Sequence, residues 1–220
     1  MALVGAGLGL WLSRNRPETS FSPRALASPM MLSLGLWLVL SFYWSCAARG
    51  ASPVRTQESP ASRQLHLLMV NAAQILSFWP FAGWPRATWK YFEFPRVVPE
   101  TPWLAPAGLA VGTLSLLLAF WARHQLGRNW SGAVTVKVDH ELVRSGPYRW
   151  IRHPIYTGAI GMYVGTAFIS GRLQGLLAVG IICAAYARKI GMEERNLRQL
   201  FGTDYADYQR RSWALLPWVV

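Results

Sequence analysis

The feature that most restricts the fold of this chain is a set of long apolar runs. The strongest lie at residues 30–48 and 102–122, close to the roughly 20 residues that an α-helix needs to cross a bilayer. A weaker run at 66–84 is interrupted by polar residues and a proline. Inside a bilayer every backbone N–H and C=O group needs an internal partner, so these runs predict transmembrane helices.

Two more apolar runs, at 155–170 and 173–187, are separated only by Gly171 and Arg172. So short a connection predicts a tight hairpin of two helices. With them the sequence predicts about five spans. The apolar residues 1–13 fit either a signal segment or a further span, and both interpretations stay open.

Composition favours the same class of protein. Charged residues make up 15% of the chain, whereas about 25% is usual in soluble domains. The formal net charge of +12 would suit a nucleic-acid binder if the basic residues formed a stripe on a polar domain. Here they flank the apolar runs instead, as in integral membrane proteins. The predicted partner is membrane lipid, and no nucleic acid.

The basic residues also predict orientation. Residues 123–153 and the segment after 187 are rich in Lys and Arg, whereas the hairpin tip carries Arg172 alone. The positive-inside rule places both basic segments in the cytoplasm. We therefore predict an all-α, polytopic membrane helical bundle of about five spans. It would comprise an N-terminal transmembrane region (1–122) and a cytoplasmic C-terminal catalytic region (123–220), in a bacterial inner membrane.

Cysteine and histidine usage predicts neither a disulfide framework nor a metal. Cys46 and Cys183 both lie inside apolar runs and are interpreted as two buried thiols. The four histidines show no paired spacing of the zinc-ligand type, so no metal site is predicted.

The stretch SGPYRWIRHPIYTG (145–158) places cations at the start of a predicted span. Pro154 disfavours helix at His153 and suits the first helical position, so a helix is predicted to begin there. The free N–H groups of its first turn, with Arg149, Arg152 and His153, would bind an anionic group. Anchoring at lipid headgroups explains the same residues equally well.

Helical spacing predicts that the last span continues past residue 187 and ends at Gly202. The hairpin would then return Glu193 and Glu194 beside the loop at 140–153, together with the tail tyrosines. There the carboxylates could be simple ion-pair partners, or could hold the ammonium or ribose hydroxyls of a ligand. The stretch RGASPVRTQESPASRQ in the N-terminal half is predicted to be a polar loop.

Two segments of the C-terminal half, LVRSGPYRWIRHPIYTG and EERNLRQLFGTDYADYQRR, resemble the isoprenylcysteine carboxyl methyltransferase family. The resemblance runs from about Leu126 to Pro217. It implies a membrane methyltransferase that uses S-adenosylmethionine and methylates a lipophilic small-molecule or lipidated substrate, most simply at a carboxylate. Three other functions remain open: a phospholipid N-methyltransferase, an NADPH-dependent sterol-type reductase and a non-catalytic membrane protein.

The resemblance also implies the site residues. Lys189 falls where the family keeps a basic residue for the substrate carboxylate, and with Arg152 it is predicted to be catalytic. The residues predicted to bind the cofactor are Thr135, His140, Glu141, Leu142, Val143, Tyr148, His153, Pro154, Ile155, Tyr156, Glu193 and Glu194. Because a carboxylate acceptor is already ionised at pH 7, the reaction needs positioning more than a strong base.

Overall fold

The computed structural model of the chain describes residues 28–48, 55–56, 58–79, 94–127, 135–136 and 142–217. Its elements are α1 (Pro29–Ala48), β1 (Arg55–Thr56), α2 (Pro60–Ser77), α3 (Leu104–Leu126), β2 (Thr135–Val136), a 3-10 helix (Gly146–Arg149), α4 (Pro154–Ser170), α5 (Leu173–Phe201) and α6 (Thr203–Arg210). The all-α expectation is confirmed for these residues. The two strands named above are two residues long each and form the antiparallel pair β1–β2.

Helix α2 begins earlier than its apolar run suggests. The sequence predicted a polar loop up to residue 64, but the helix starts at Pro60. The Ser59 hydroxyl accepts a hydrogen bond from the N–H of Ser62 at 3.2 Å, and proline occupies the first helical position. Both are favourable start signals, so local capping rather than apolarity sets this boundary.

Three helical segments have the length and composition of membrane spans: Pro29–Ala47, Leu104–Leu126 and Leu173–Phe201. On the outer faces of α1 and α3, large apolar side chains such as Phe42 and Leu114 are exposed. Exposed apolar surface of this kind is expected where a helix faces lipid. The count of five spans goes beyond these three segments and stays a prediction. The boundary between the N-terminal and C-terminal regions, at residues 122 and 123, falls within α3 and also stays a prediction.

The predicted hairpin between α4 and α5 is confirmed. Gly171 has φ 61°, in the left-handed region that glycine adopts without a steric penalty, and its N–H donates to the carbonyl of Ala167. Helix α5 then runs without interruption to Phe201 and stops at Gly202, with φ 52°. The hairpin and the long α5 together bring the end of α5 back beside the start of α4.

Helix α4 lies at the centre of the bundle, where it contacts α1, α2, α3 and α5. The buried core includes Trp37 on α1, Met162 and Tyr163 on α4, and Ile182 on α5. The expectation of buried thiols is wrong, because Cys46 and Cys183 are free and exposed on the outside of the bundle. An apolar run predicts burial in protein or in lipid, and it does not distinguish the two.

Glycines allow α3 and α4 to pack backbone against backbone. A Cβ atom added at Gly165 on α4 would lie 2.5 Å from the carbonyl oxygen of Gly108 on α3, and one at Gly158 would lie 2.6 Å from that of Ser115. Small residues at such positions let membrane helices approach closely. This contact fixes α4, and therefore its first turn, against the rest of the bundle.

We expect Gly165→Ala to lower the thermal unfolding temperature of the detergent-solubilised chain by several degrees, because backbone atoms on the neighbouring helix cannot move aside cheaply. The matched control is Gly180→Ala on α5, where an added Cβ meets nothing within 4 Å. Alanine is the better helix former by about 1 kcal/mol, so the control should be neutral or stabilising. Equal unfolding temperatures for the two variants would contradict the packing argument.

Candidate active site

The start of α4 is held by the C-terminal tail. The N–H of Arg152 donates to the carbonyl of Trp213 at 2.8 Å, and that of His153 to Ala214 at 3.0 Å. In the first turn, the N–H groups of Tyr156 and Thr157 both donate to the carbonyl of His153. The expectation of a set of free N–H groups is therefore wrong for His153 and Tyr156, whereas the Thr157 bond is the ordinary first bond of the helix. A ligand here would be held mainly by side chains.

His153 lies between the two adjacent carboxylates of α5. Its Nδ1 is 3.5 Å from Oε2 of Glu193, and its Nε2 is 3.4 Å from Oε1 of Glu194. The side chain is 5% exposed. Consecutive helix positions point about 100° apart, which lets the two carboxylates approach the ring from different sides. Burial by itself lowers the pKa of His153, but the hydrogen bonds and charges of Glu193 and Glu194 raise it above its ordinary value.

This arrangement predicts a pH dependence of stability. Because the folded-state pKa of His153 is raised, its contribution is complete below the ordinary histidine pKa of 6.5 and is lost as the pH rises through the raised folded value. We expect the free energy of unfolding in detergent to fall over this interval for the unsubstituted chain. The His153→Gln variant should lose that part of the decrease, and identical pH profiles would contradict the assignment.

Tyr156 joins Glu193 to an aromatic stack. Its hydroxyl donates to Oε1 of Glu193 at 2.5 Å. Its ring lies between those of His153, at 5.6 Å, and Tyr186 on α5, at 4.6 Å, measured between centroids and stacked in both cases. The Lys189 ammonium lies 5.5 Å from the Tyr156 ring centroid. We call His153, Tyr156, Lys189 and Glu193 the α4–α5 cluster.

Glu194 belongs to a second network that ties the tail to α4 and α5. Its Oε1 accepts from Nε of Arg152 at 2.8 Å, and its Oε2 accepts from the side-chain amide of Gln209 at 2.8 Å. The guanidinium of Arg152 also donates to the carbonyls of Gln209 and Ser212. Side-chain exposures of 10% for Arg152 and 13% for Glu194 make this a largely buried ion pair. The side chains of this network therefore hold one another and the C-terminal tail in place.

The short 3-10 helix is anchored by a tail tyrosine. The Tyr208 hydroxyl donates to the carbonyl of Tyr148 at 2.6 Å, which confirms the predicted approach of the tail to this loop. Burial raises the pKa of Tyr208 to about 12 and raises that of Tyr148 as well, so both remain protonated. Gly146 supplies the positive φ, 59°, that the turn requires.

The structure brings most of the predicted site residues together. Arg152, His153, Pro154, Tyr156, Lys189, Glu193 and Glu194 meet where α4 starts beside α5, and Ile155 is in the same first turn of α4. Leu142 and Val143 are half-buried just before the 3-10 helix that contains Tyr148. Thr135 lies in β2, which contacts α5. His140 and Glu141 lie outside the described residues.

Sequence reasoning missed several partners of this site. Tyr186 occupies the position seven residues before Glu193, two helical turns away on the same face of α5, so helical periodicity could have found it. Gln209 and Ser212 act through tertiary contacts that no local pattern indicates. Within the described residues, no group of three or more His, Cys, Asp or Glu residues could hold a metal ion.

Comparison with known proteins finds a similarity to one family over this region. Residues 109–199 match the sequence model of the isoprenylcysteine carboxyl methyltransferase (ICMT) family. The protein-S-isoprenylcysteine O-methyltransferase of Rattus norvegicus is 28% identical over 169 residues, which cover 76% of this chain and 59% of the relative. Methanethiol S-methyltransferase 1 of Bradyrhizobium diazoefficiens is 26% identical over 173 residues, which cover 72% of this chain and 55% of the relative.

A solved structure shares the fold. The eukaryotic intramembrane Ras methyltransferase ICMT superposes with a TM-score of 0.56 at 20% identity, covering 96% of this chain and 72% of that one. The resemblance inferred from the sequence motifs is thus confirmed. The chain spans less than two thirds of the length of the two curated relatives named here.

Proposed function

We propose, from the family pattern that residues 109–199 carry, that this chain is an integral membrane methyltransferase. It would transfer the methyl group of S-adenosylmethionine to a lipophilic acceptor, most simply a carboxylate as in isoprenylcysteine O-methylation. The names of the curated relatives, all methyltransferases among those given above, support this class. The three apolar helices support a location in the membrane.

The observation that carries the proposal is the α4–α5 cluster. Oε1 of the Glu193 carboxylate accepts a hydrogen bond from Tyr156, Oε2 lies 3.5 Å from Nδ1 of His153, and a carboxylate oxygen has lone pairs for more than one donor. Glu193 can therefore accept from an ammonium or a ribose hydroxyl without losing its present partners. The residues present fit a methyl donor that carries an amino-acid end.

Lys189, Arg152 and Glu194 would have separate roles. Lys189 would attract the acceptor carboxylate, since its ammonium lies beside the Tyr156 ring. Arg152 would act as a positioning residue, because its guanidinium holds Glu194 and two tail carbonyls. Glu194 would in turn fix His153 for the cofactor. The other cofactor contacts that we propose are Thr135, His140, Glu141, Leu142, Val143, Tyr148, Pro154 and Ile155.

The chemistry assigned to the chain is mainly positioning. S-adenosylmethionine supplies an electrophilic methyl group on a sulfonium, and an ionised carboxylate needs no base to attack it. Holding the two reactants in a near-attack geometry can provide several kcal/mol of the rate enhancement, about 7 or more in favourable cases. The half-buried rings of Tyr156 and Tyr186 would exclude water from the space beside Glu193.

We also propose that this site faces the cytoplasm of a bacterial inner membrane, in a bundle of about five spans. The tail pairs with residues 150–153, and Arg152 on one basic segment contacts Glu194 on the other. The described residues 142–153 and 188–211 of the two basic segments therefore lie on one side of the bundle, and the positive-inside rule assigns that side to the cytoplasm.

The proposal is tested by methyl transfer with the detergent-purified chain. We expect incorporation of labelled methyl from S-adenosylmethionine into N-acetyl-S-farnesylcysteine, as a base-labile ester. The acceptor's carboxamide analogue is the control and should stay unlabelled. Labelling of water-soluble acceptors alone would remove the lipophilic acceptor from the proposal, and NADPH-dependent reduction of a lipid without methyl transfer would replace the methyltransferase class.

A further inference from the structure

A second polar cluster lies where the start of α2 packs against α5. Arg188 donates through Nη2 to the hydroxyl and the carbonyl of Ser62, at 2.5 and 3.2 Å. The Ser62 hydroxyl donates to Glu58 at 2.7 Å. His66, one turn further along α2, lies within electrostatic range of Arg188, Lys189 and Glu58.

Two buried nitrogens of this cluster have no hydrogen-bond partner in the described parts of the chain: Nη1 of Arg188 and Nδ1 of His66. An unsatisfied buried polar atom costs roughly 1–3 kcal/mol, and more when it is charged. The Arg188 guanidinium bonds Ser62 rather than a carboxylate, and its Nη1 is the buried atom left without a partner. A buried guanidinium with a spare N–H is the chemistry that binds an anion.

The two clusters adjoin through the aromatic stack. The His66 ring is 5.7 Å from that of Tyr186, and Tyr186 in turn stacks on Tyr156 at 4.6 Å. Tyr156 hydrogen-bonds Glu193 directly. A molecule whose anionic end reached His66 and Arg188 would therefore lie next to the proposed cofactor site, with the apolar helices α2 and α5 beside it.

We propose that His66 and Arg188 bind the carboxylate of the methyl acceptor and so determine which acceptors the chain uses. This inference rests on the proposed function. The guanidinium supplies its open Nη1–H, and the imidazole supplies Nδ1–H in the neutral tautomer that carries its proton on that nitrogen. Arginine here adds the planar donor geometry that Lys189, as a point charge, cannot offer. Neither residue belongs to the motifs that carry the family resemblance.

The test compares the affinity of the chain for N-acetyl-S-farnesylcysteine with its affinity for the uncharged carboxamide of that compound. Each compound is titrated at the same fixed concentration of S-adenosylmethionine. The unsubstituted chain should bind the carboxylate at least about tenfold more tightly, since a hydrogen bond to a charged group contributes about 1.5 kcal/mol or more. Arg188→Gln and His66→Gln should each reduce this ratio about tenfold. The affinity for S-adenosylmethionine should stay within about twofold.

The matched control is Arg195→Gln, an exposed arginine on the same helix, which should leave the ratio unchanged. Equal binding of the two compounds by the unsubstituted chain would overturn the inference without any variant. So would an unchanged ratio in Arg188→Gln with cofactor binding intact. Arg188→Lys, which keeps the charge, should give an intermediate ratio and provides the comparison if the glutamine variant does not fold. Failure of the proposed function itself differs from these outcomes, because the unsubstituted chain would then not bind S-adenosylmethionine.

Discussion

Glu193→Gln is expected to weaken S-adenosylmethionine binding about 100-fold. The substitution keeps the shape of the side chain and an acceptor for the Tyr156 hydroxyl, but it removes the negative charge that would face the ammonium of the ligand. A factor of 100 corresponds to about 2.7 kcal/mol, within the range for charged hydrogen bonds in a desolvated site. Calorimetric titration of the purified protein measures it directly, and methyl transfer should fall at least as much.

The control for this variant is Glu100→Gln. That carboxylate is 83% exposed in an ion pair with Arg96, so its loss should leave the affinity unchanged. Thermal unfolding of both variants establishes that they are folded. A folded Glu193→Gln protein with the affinity of the unsubstituted chain would remove Glu193 from the site. A parallel titration of the unsubstituted chain with NADPH would then decide whether the site at the α4–α5 cluster binds a nicotinamide cofactor instead.

Arg152→Met should destabilise the chain by about 3–5 kcal/mol, the largest effect on stability that we expect. The change removes the main partner of the largely buried Glu194 carboxylate and leaves the carbonyls of Gln209 and Ser212 without their donor. Removing one member of a buried pair costs more than removing both. The double variant with Glu194→Gln should therefore regain much of the loss. Chemical unfolding in detergent, followed by intrinsic tryptophan fluorescence, measures the series.

Arg210→Met provides the comparison for this series. Arg210 pairs with Asp207 on α6, but both side chains are largely exposed, at 72% and 48%, and such surface pairs contribute little. If Arg152→Met were as mild as Arg210→Met, the network between α4, α5 and the tail would not stabilise the fold as described.

Much of the fold is predictable from the sequence because its signals are local. Pro154 starts α4, Gly171 turns the chain by adopting positive φ, and Gly202 ends α5, each at the predicted residue. The start of α2 was missed although its signal is equally local. Ser59 and Pro60 form a capping pair, but the surrounding stretch has no apolar periodicity, so apolarity alone indicated a loop.

The proximity of His153 and the paired carboxylates could be predicted, because a hairpin returns its end beside its start. The functions of individual residues were harder to predict. Arg152 was expected among the catalytic residues, but in the structure its guanidinium is held by Glu194 and the tail. Glu194 is 42 positions from Arg152 in the sequence, and the two tail carbonyls belong to residues 57 and 60 positions away. No spacing rule predicts contacts between residues so far apart. His66 and Arg188 likewise meet only because α2 packs against α5.

The central claim is that Glu193 and His153 hold the amino-acid end of a methyl donor where α4 begins. The most direct measurement is an experimental structure of the unsubstituted chain in a lipid nanodisc with S-adenosylhomocysteine, the product of the donor. The account predicts the ligand's ammonium or ribose hydroxyls within about 3.2 Å of the Glu193 carboxylate, a normal hydrogen-bond distance, with the ligand in contact with Tyr156. A ligand bound elsewhere in the bundle, with Glu193 bonded only to Tyr156 and His153, would contradict it.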